Sequence, residues 1–232
     1  MSKNMDVSKR KQSIIAGGLI SSAGIFFAKF IGLFYAVPYN SMLGTADNLA
    51  YYGVAFNIYS YLLNICTAGF PFAIATLIAK YSTRGDYQTS LLIKKLSASL
   101  MTCFGFGMMI IVILFSSPLA ALVMPDEGDS VKTMQMVLIL ISFALFFVPL
   151  LSSIRGFYQG LKHMEIYALS QVLEQVARVA FLLSASAIAV YALHTDQVWA
   201  LYFGVISTSI SAILAIMHLK LYDKKQMREL KS

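Results

Sequence analysis

Charge is what this sequence has least of. Only 12% of its 232 residues are Asp, Glu, Lys or Arg, about half the share of an ordinary soluble domain. With 58% of residues hydrophobic, a soluble chain of this length would expose large apolar patches, so the soluble globular class is excluded. Disorder is excluded too, because it requires low hydrophobicity. Cysteine is almost as scarce. Cys66 and Cys103 both lie inside apolar runs, which removes a disulfide scaffold and reads as two small buried hydrophobes. His163, His194 and His218 fall in three separate regions, so no metal-ligand spacing exists. There is no glycine-rich loop carrying Lys and Ser/Thr for a nucleotide phosphate, and no serine or cysteine constellation for catalysis. The chain is therefore expected to be no enzyme and to hold no metal or cofactor. The acidic run Asp126, Glu127, Asp129 reads as a solvated loop and not as a calcium site.

Long apolar runs are what the sequence does have. A bilayer core of about 30 Å needs roughly 20 mostly apolar residues per helix, and six segments qualify. They run from about Ser13 to Tyr39, Tyr51 to Ala79, Ser97 to Val123, Met134 to Ile154, Ile166 to Tyr191, and Val198 to Leu221. The predicted class is all-α: a polytopic, multi-pass protein of the cytoplasmic membrane, with one six-helix domain over 13–221 and short tails at 1–12 and 222–232. The short alternating segments of a β-barrel are absent. Pro38, Pro71 and Pro149 are tolerated in membrane helices, and Pro71, well inside the second span, predicts a kink there. The first span is too long for the h-region of a signal peptide and no small-residue cleavage site follows it, so it is expected to stay attached.

The net charge of +7 has a topological explanation. Basic residues cluster in the N-terminal tail (Lys3, Lys9, Arg10, Lys11) and the second loop (Lys80, Arg84, Lys94, Lys95). They recur in the fourth loop (Arg155, Lys162) and the C-terminal tail (Lys220, Lys224, Lys225, Arg228, Lys231). The alternate loops carry Asp47, then Asp126, Glu127 and Asp129 with Lys132, then Asp196. Under the positive-inside rule both termini are cytoplasmic. The excess positive charge needs no nucleic-acid partner.

Three strongly ionisable residues remain inside the spans: Lys29, Glu174 and Arg178. A cation at mid-membrane costs roughly 2.5–3.5 kcal/mol even on the lenient insertion scale, so such residues face a bundle interior or a watery cavity. Lys29 is flanked at helical spacing by Ser22, Gly32 and Ala36, while Phe26, Phe30 and Phe34 point elsewhere. It reads as a cavity wall residue, the alternatives being snorkelling to an interface or pairing with a carboxylate. Gly24, Ala28 and Gly32 form a small-residue face for packing on another helix. Glu174 and Arg178 stand at i, i+4 in the favourable order, with Gln171 and Gln175 beside them. They read either as a pair that neutralises itself or as a polar stripe lining the same cavity. Asn57, Tyr61 and Asn64 in the second span read as further cavity residues or as interhelical hydrogen-bonding groups. Surplus positive charge in a low-dielectric cavity suits an anionic substrate. A cation exporter would need an unpaired carboxylate.

Three stretches resemble a known family. Ala28-Lys29-Phe30-Ile31-Gly32-Leu33-Phe34-Tyr35 with Pro38 is similar to the first-helix signature of the stage V sporulation protein B group, which belongs with the polysaccharide transporters and MurJ-type lipid II flippases. Thr67-Ala68-Gly69-Phe70-Pro71-Phe72-Ala73-Ile74 resembles the end of that family's second helix. Arg155-Gly156-Phe157-Tyr158-Gln159-Gly160, followed by Ser170-Gln171-Val172-Leu173-Glu174-Gln175-Val176-Ala177-Arg178-Val179, resembles its loop between helices four and five and the start of helix five. The resemblance implies one six-helix lobe of a two-lobed exporter of the multidrug/oligosaccharidyl-lipid/polysaccharide superfamily. It implies export of an undecaprenyl-pyrophosphate-linked glycan such as the peptidoglycan precursor, with a second lobe as partner. It also implies a phosphate-binding role at Lys29, where the flippases carry an arginine, and it places the family's second arginine where this chain has Tyr35. The alternatives are a drug or cation antiporter of the same superfamily, and a non-transporting fragment or envelope assembly partner.

Overall fold

A computed structural model describes residues 19, 22–124 and 128–229, with side chains as far as Asp223. The N-terminal tail, the start of the first span at Ser13, Asp126 with Glu127, and the basic side chains after Asp223 lie outside the described residues. The elements are α1 (22–34), α2 (Ala36–Leu43), α3 (Ala46–Thr67), α4 (Phe70–Ser82), α5 (Tyr87–Leu114), α6 (Ser116–Val123), α7 (Asp129–Gly160), α8 (Met164–Ala187), a π turn (Ile188–Ala192) and α9 (Val198–Glu229). They compose six membrane-length apolar helical spans: Ser22–Leu43, Ala46–Ser82, Tyr87–Leu114, Asp129–Gly160, Met164–Ala192 and Val198–Asp223. The chain is a multi-pass integral membrane protein.

Proline explains where spans break into two helices. It lacks the N–H that would bond the carbonyl four residues earlier. Pro38, Pro71 and Pro118 sit in the first turn of α2, α4 and α6, and the chain breaks just before each, at Tyr35, at Ala68–Gly69 and at Phe115. The kink expected at Pro71 is therefore a complete break two to three residues upstream. Gly69 carries it with φ of +73°, a conformation costly for any residue with a Cβ. Pro149, buried in the interior of α7, causes no break, because packed neighbours supply what the missing bond withholds. Side chains define two helix starts. Thr45 Oγ1 accepts from the Asn48 N–H at 3.2 Å, and Asp86 Oδ1 accepts from the Thr89 N–H at 3.0 Å. Hydrogen bonding from Thr89, by its side chain first and its backbone N–H second, holds the Asp86 carboxyl below its ordinary range.

Burial divides the spans sharply. The apolar cores of α7 and α9 are 56% and 61% buried, against 11–22% for the other four, so these two form the centre and the rest wrap around them. Two apolar clusters follow, one around Leu138, Ile141, Leu145, Leu182 and Leu201, the other around Ile78, Leu151, Tyr158 and Leu219. Small buried residues of α9, among them Ala200, Gly204, Ser207 and Ser211, allow the close approach that membrane helix packing requires. Tyr39 lies directly over Gly204 and donates to the Ala200 carbonyl at 3.1 Å. Tyr39→Phe is expected to cost about 1 kcal/mol, read as a lower thermal unfolding midpoint in detergent micelles. Outward, Phe26, Phe27, Leu33, Val37, Leu114 and Leu122 are exposed, as lipid-facing residues should be.

Two expectations need correcting here. Cys66 is buried but Cys103 is exposed; both are free thiols. Arg155 does not lie in a loop, because α7 continues to Gly160. Likewise Lys80 ends α4, while Lys94 and Lys95 belong to α5, which begins ten residues before the predicted Ser97. Contacts place the C-terminal ends of α4, α7 and α9 beside the N-terminal end of α5. Lys80, Arg84, Lys94, Lys95, Lys162 and Lys220 thus gather at one end of the lobe. The other end has Asp47, Asp129 and Asp196 with Lys132.

Candidate functional site

A polar recess of about 230 Å³ lies where α1, α7 and α8 meet, lined by Ala28, Lys29, Arg155, Gln171, Glu174 and Gln175 among others. The small-residue face of α1 brings it there. A Cβ on Gly24 would lie 3.6 Å from Val172 and 3.8 Å from Ala168, and one on Gly32 would reach 2.9 Å from Gln175 Nε2. Ala28 between them is buried. The helix face carrying Lys29 is thereby turned along α8, while Phe26, Phe30 and Phe34 point outward.

Arg155 forms the recess floor. Its Nη1 lies 2.7 Å from Glu174 Oε2, and its Nε and Nη2 donate to Ser170 Oγ at 3.1 and 3.0 Å. Both charged side chains are largely enclosed, 12% and 22% exposed, so the pair is held in a protein environment where unpaired charge is costly. Glu174 stands ten residues along α8 from Met164, about 15 Å at 1.5 Å per residue, half the thickness of a bilayer core. Gln171 Nε2 donates to Tyr167 Oη at 3.1 Å. Lys29 is exposed to the recess and, among the described residues, has no ion pair within 4 Å.

The expected Glu174–Arg178 pair does not form. Glu174 is turned to Arg155, whereas Arg178, one helical turn away, donates from Nη2 to Tyr35 Oη at 3.0 Å. Its guanidinium lies 5.8 Å from the Tyr35 ring centre and 5.5 Å from that of Phe56, within cation–π range. Tyr39, Tyr52 and Phe56 continue this aromatic series. Arg178 therefore sits in an aromatic cage behind the recess and does not line it. Its Nε and the Tyr52 hydroxyl are buried and have no hydrogen-bond partner among the described residues. Asn57 and Asn64 are not brought to the recess either: they lie on an exposed face of α3 with Tyr61.

Arg155 is the recess residue that sequence reasoning misplaced. A signal was present: Gly156 and Gly160 are four apart, a helix-packing spacing. A Cβ on either would press on the α4 backbone, 2.9 Å from the Pro71 carbonyl oxygen and 2.6 Å from that of Ala75. That packing keeps α7 helical past Arg155.

The sequence profile described as polysaccharide biosynthesis protein matches residues 14–231. The chain belongs to that family. Among curated proteins, the lipid II flippase MurJ of Bacillus subtilis is 32% identical over 219 residues, covering 92% of this chain and 40% of that protein. Stage V sporulation protein B of the same organism is 28% identical over 171 residues, covering 73% and 32%. A MOP superfamily transporter from Pyrococcus furiosus superimposes with a TM-score of 0.67 at 17% identity, over 84% of this chain and 42% of that one. A MATE transporter in complex with MaL6 gives 0.68 at 16%, with the same coverage. These likenesses establish the exporter fold, and the chain corresponds to one lobe of it. It spans about 40% of the length of the MurJ it matches.

Proposed function

We infer that this chain is one lobe of a flippase that moves an undecaprenyl-pyrophosphate-linked glycan, such as a peptidoglycan precursor, across the cytoplasmic membrane. The observation that carries this reading is Lys29. It faces an open recess with no ion pair among the described residues, while the adjacent Glu174 is already neutralised by Arg155. The recess itself is lined by two cations, Lys29 and Arg155, against one carboxylate, Glu174, with Arg178 behind it. A recess with this balance favours a diphosphate. One charge pair at about 4 Å contributes roughly 4 kcal/mol at an effective dielectric near 20. A drug or cation antiporter of the same fold would need a free acid, and the one carboxylate lining the recess, Glu174, is engaged by Arg155. The basic end of the lobe is the cytoplasmic one in this reading, with both termini there. A second lobe closes over the recess, as alternating access requires. The relatives' greater length supports that arrangement. Gln171 and Gln175 are placed to meet the groups next to the diphosphate. The membrane-embedded core is 13–221, flanked by short basic tails.

The test is equilibrium binding of undecaprenyl pyrophosphate to the purified chain in lipid nanodiscs, with undecaprenol as the uncharged control. Saturable binding of the pyrophosphate lipid alone is expected, weakened at least tenfold by Lys29→Ala, which corresponds to about 1.4 kcal/mol. Unchanged binding by that variant, or equal binding of undecaprenol, would overturn the assignment.

A further inference from the structure

A second cavity lies on a different face of α7. It is a groove of about 430 Å³ between α5, α7 and α9, lined by Lys94, Lys95, Lys220, Asp223, Leu150 and Ile154 among others. It shares no lining residue with the Lys29 recess. We propose that this groove is a binding site for an anionic phospholipid, the phosphate at the lysines and an acyl chain along the apolar wall.

The groove is charged at one end only. Lys94, Lys95, Lys220 and Asp223 all stand at the basic end of the lobe, where α5 begins and α9 approaches its C-terminus. From there the wall runs along α5 to Thr102, about 12 Å at 1.5 Å per residue, with Leu150 and Ile154 opposite on α7. The charges are unequal, three ammonium groups against one carboxylate. Asp223 is already occupied: Lys94 Nζ lies 2.5 Å from its Oδ2, and Tyr158 donates to its Oδ1. Lys94 is fixed further by the Phe157 ring, 4.4 Å from its ammonium. Lys95 and Lys220 are exposed and, among the described residues, have no ion pair. Two free ammonium groups above a pre-neutralised pair ask for a net negative headgroup. The ammonium of a zwitterionic lipid would be repelled there. Beyond the lysines the lining passes to Ala98, Leu150 and Ile154 within the membrane-length part of α5 and α7, so the ligand must carry an apolar tail as well as a phosphate. Basic pockets between transmembrane helices near the membrane surface are suited to such headgroups.

The experiment is native mass spectrometry of the full chain, released from nanodiscs of equimolar dioleoylphosphatidylglycerol and dioleoylphosphatidylcholine. The expected result is one retained phosphatidylglycerol with at least tenfold preference over phosphatidylcholine. Lys95→Gln combined with Lys220→Gln should reduce that preference at least tenfold, because both unpaired ammonium charges are removed. Lys95→Arg with Lys220→Arg should keep it, which separates loss of charge from loss of fold. Retained preference in the double glutamine variant would overturn the proposal. So would displacement of the lipid by equimolar inorganic phosphate, because the site would then recognise phosphate without its tail.

Discussion

Arg155→Ala is expected to lower the stability of the lobe by about 3 kcal/mol, the lower end of the cost of breaking a buried ion pair by removing one partner. For a chain of this size that is on the order of 10 °C in the unfolding midpoint. The reason lies with the residue left behind. Glu174 would stay at mid-membrane depth, enclosed and without the guanidinium now 2.7 Å away, and Ser170 would lose both of its Arg155 bonds. Adding Glu174→Gln to Arg155→Ala should recover more than half of the loss, because the amide carries no charge to strand. A double-mutant cycle in detergent micelles measures the coupling directly. The Arg155–Glu174 cycle should exceed 1.5 kcal/mol, and the Arg178–Glu174 cycle should fall well below it. The reverse order would mean that the i, i+4 pair within α8 is the real one.

Gly105→Leu is the second large effect. At Gly105 a Cβ would lie 2.6 Å from the Leu145 carbonyl oxygen and 3.2 Å from the Phe146 Cα. Both are backbone atoms of α7, and α5 with α7 is the most extensive helix pairing in the lobe. Backbone cannot rotate out of the way as a side chain can, so α5 must lift off the central helix. Overpacking of this kind costs about 3 kcal/mol or more, enough to remove most of the folded protein from a membrane preparation. Gly107, one position past the next residue on the same helix, has nothing within 4 Å of its Cβ. Gly107→Leu should therefore be neutral or stabilising by up to about 0.8 kcal/mol, through helix propensity alone. Size-exclusion recovery and unfolding midpoints of the two variants, compared side by side, check the pair. Equal behaviour would show that the close α5–α7 contact is wrong.

The class of the protein was legible in the sequence because a bilayer imposes a length and a polarity on every span, and both are local properties. The small-residue face of α1 could be read in the same way: Gly24, Ala28 and Gly32 recur at helical spacing and do pack on α8. Lys29 stood out because a lone cation among Phe26, Phe27 and Phe30 has no local explanation. Span ends were less legible. Polar residues such as Lys94 and Arg155 look like loop when judged alone, and the carboxylates that accommodate them within helices, Asp223 and Glu174, come from other helices.

Partner choice is where sequence reasoning ran out. Local spacing favours Glu174 with Arg178, worth a few tenths of a kcal/mol on an isolated helix. Tertiary packing offers each a better-enclosed partner, and the low-dielectric interior weights that difference far more heavily. Their polarity inside a span also suggested that Asn57 and Asn64 line the cavity or bond between helices, but the direction in which α3 turns its faces depends on how Tyr52, Phe56 and Tyr59 pack. The sequence by itself determined a membrane protein with six spans, a basic end and a cation at Lys29. Only the tertiary structure decided which carboxylate answers which cation, and so which cation is left without an answer, because that depends on distances between helices far apart in the chain.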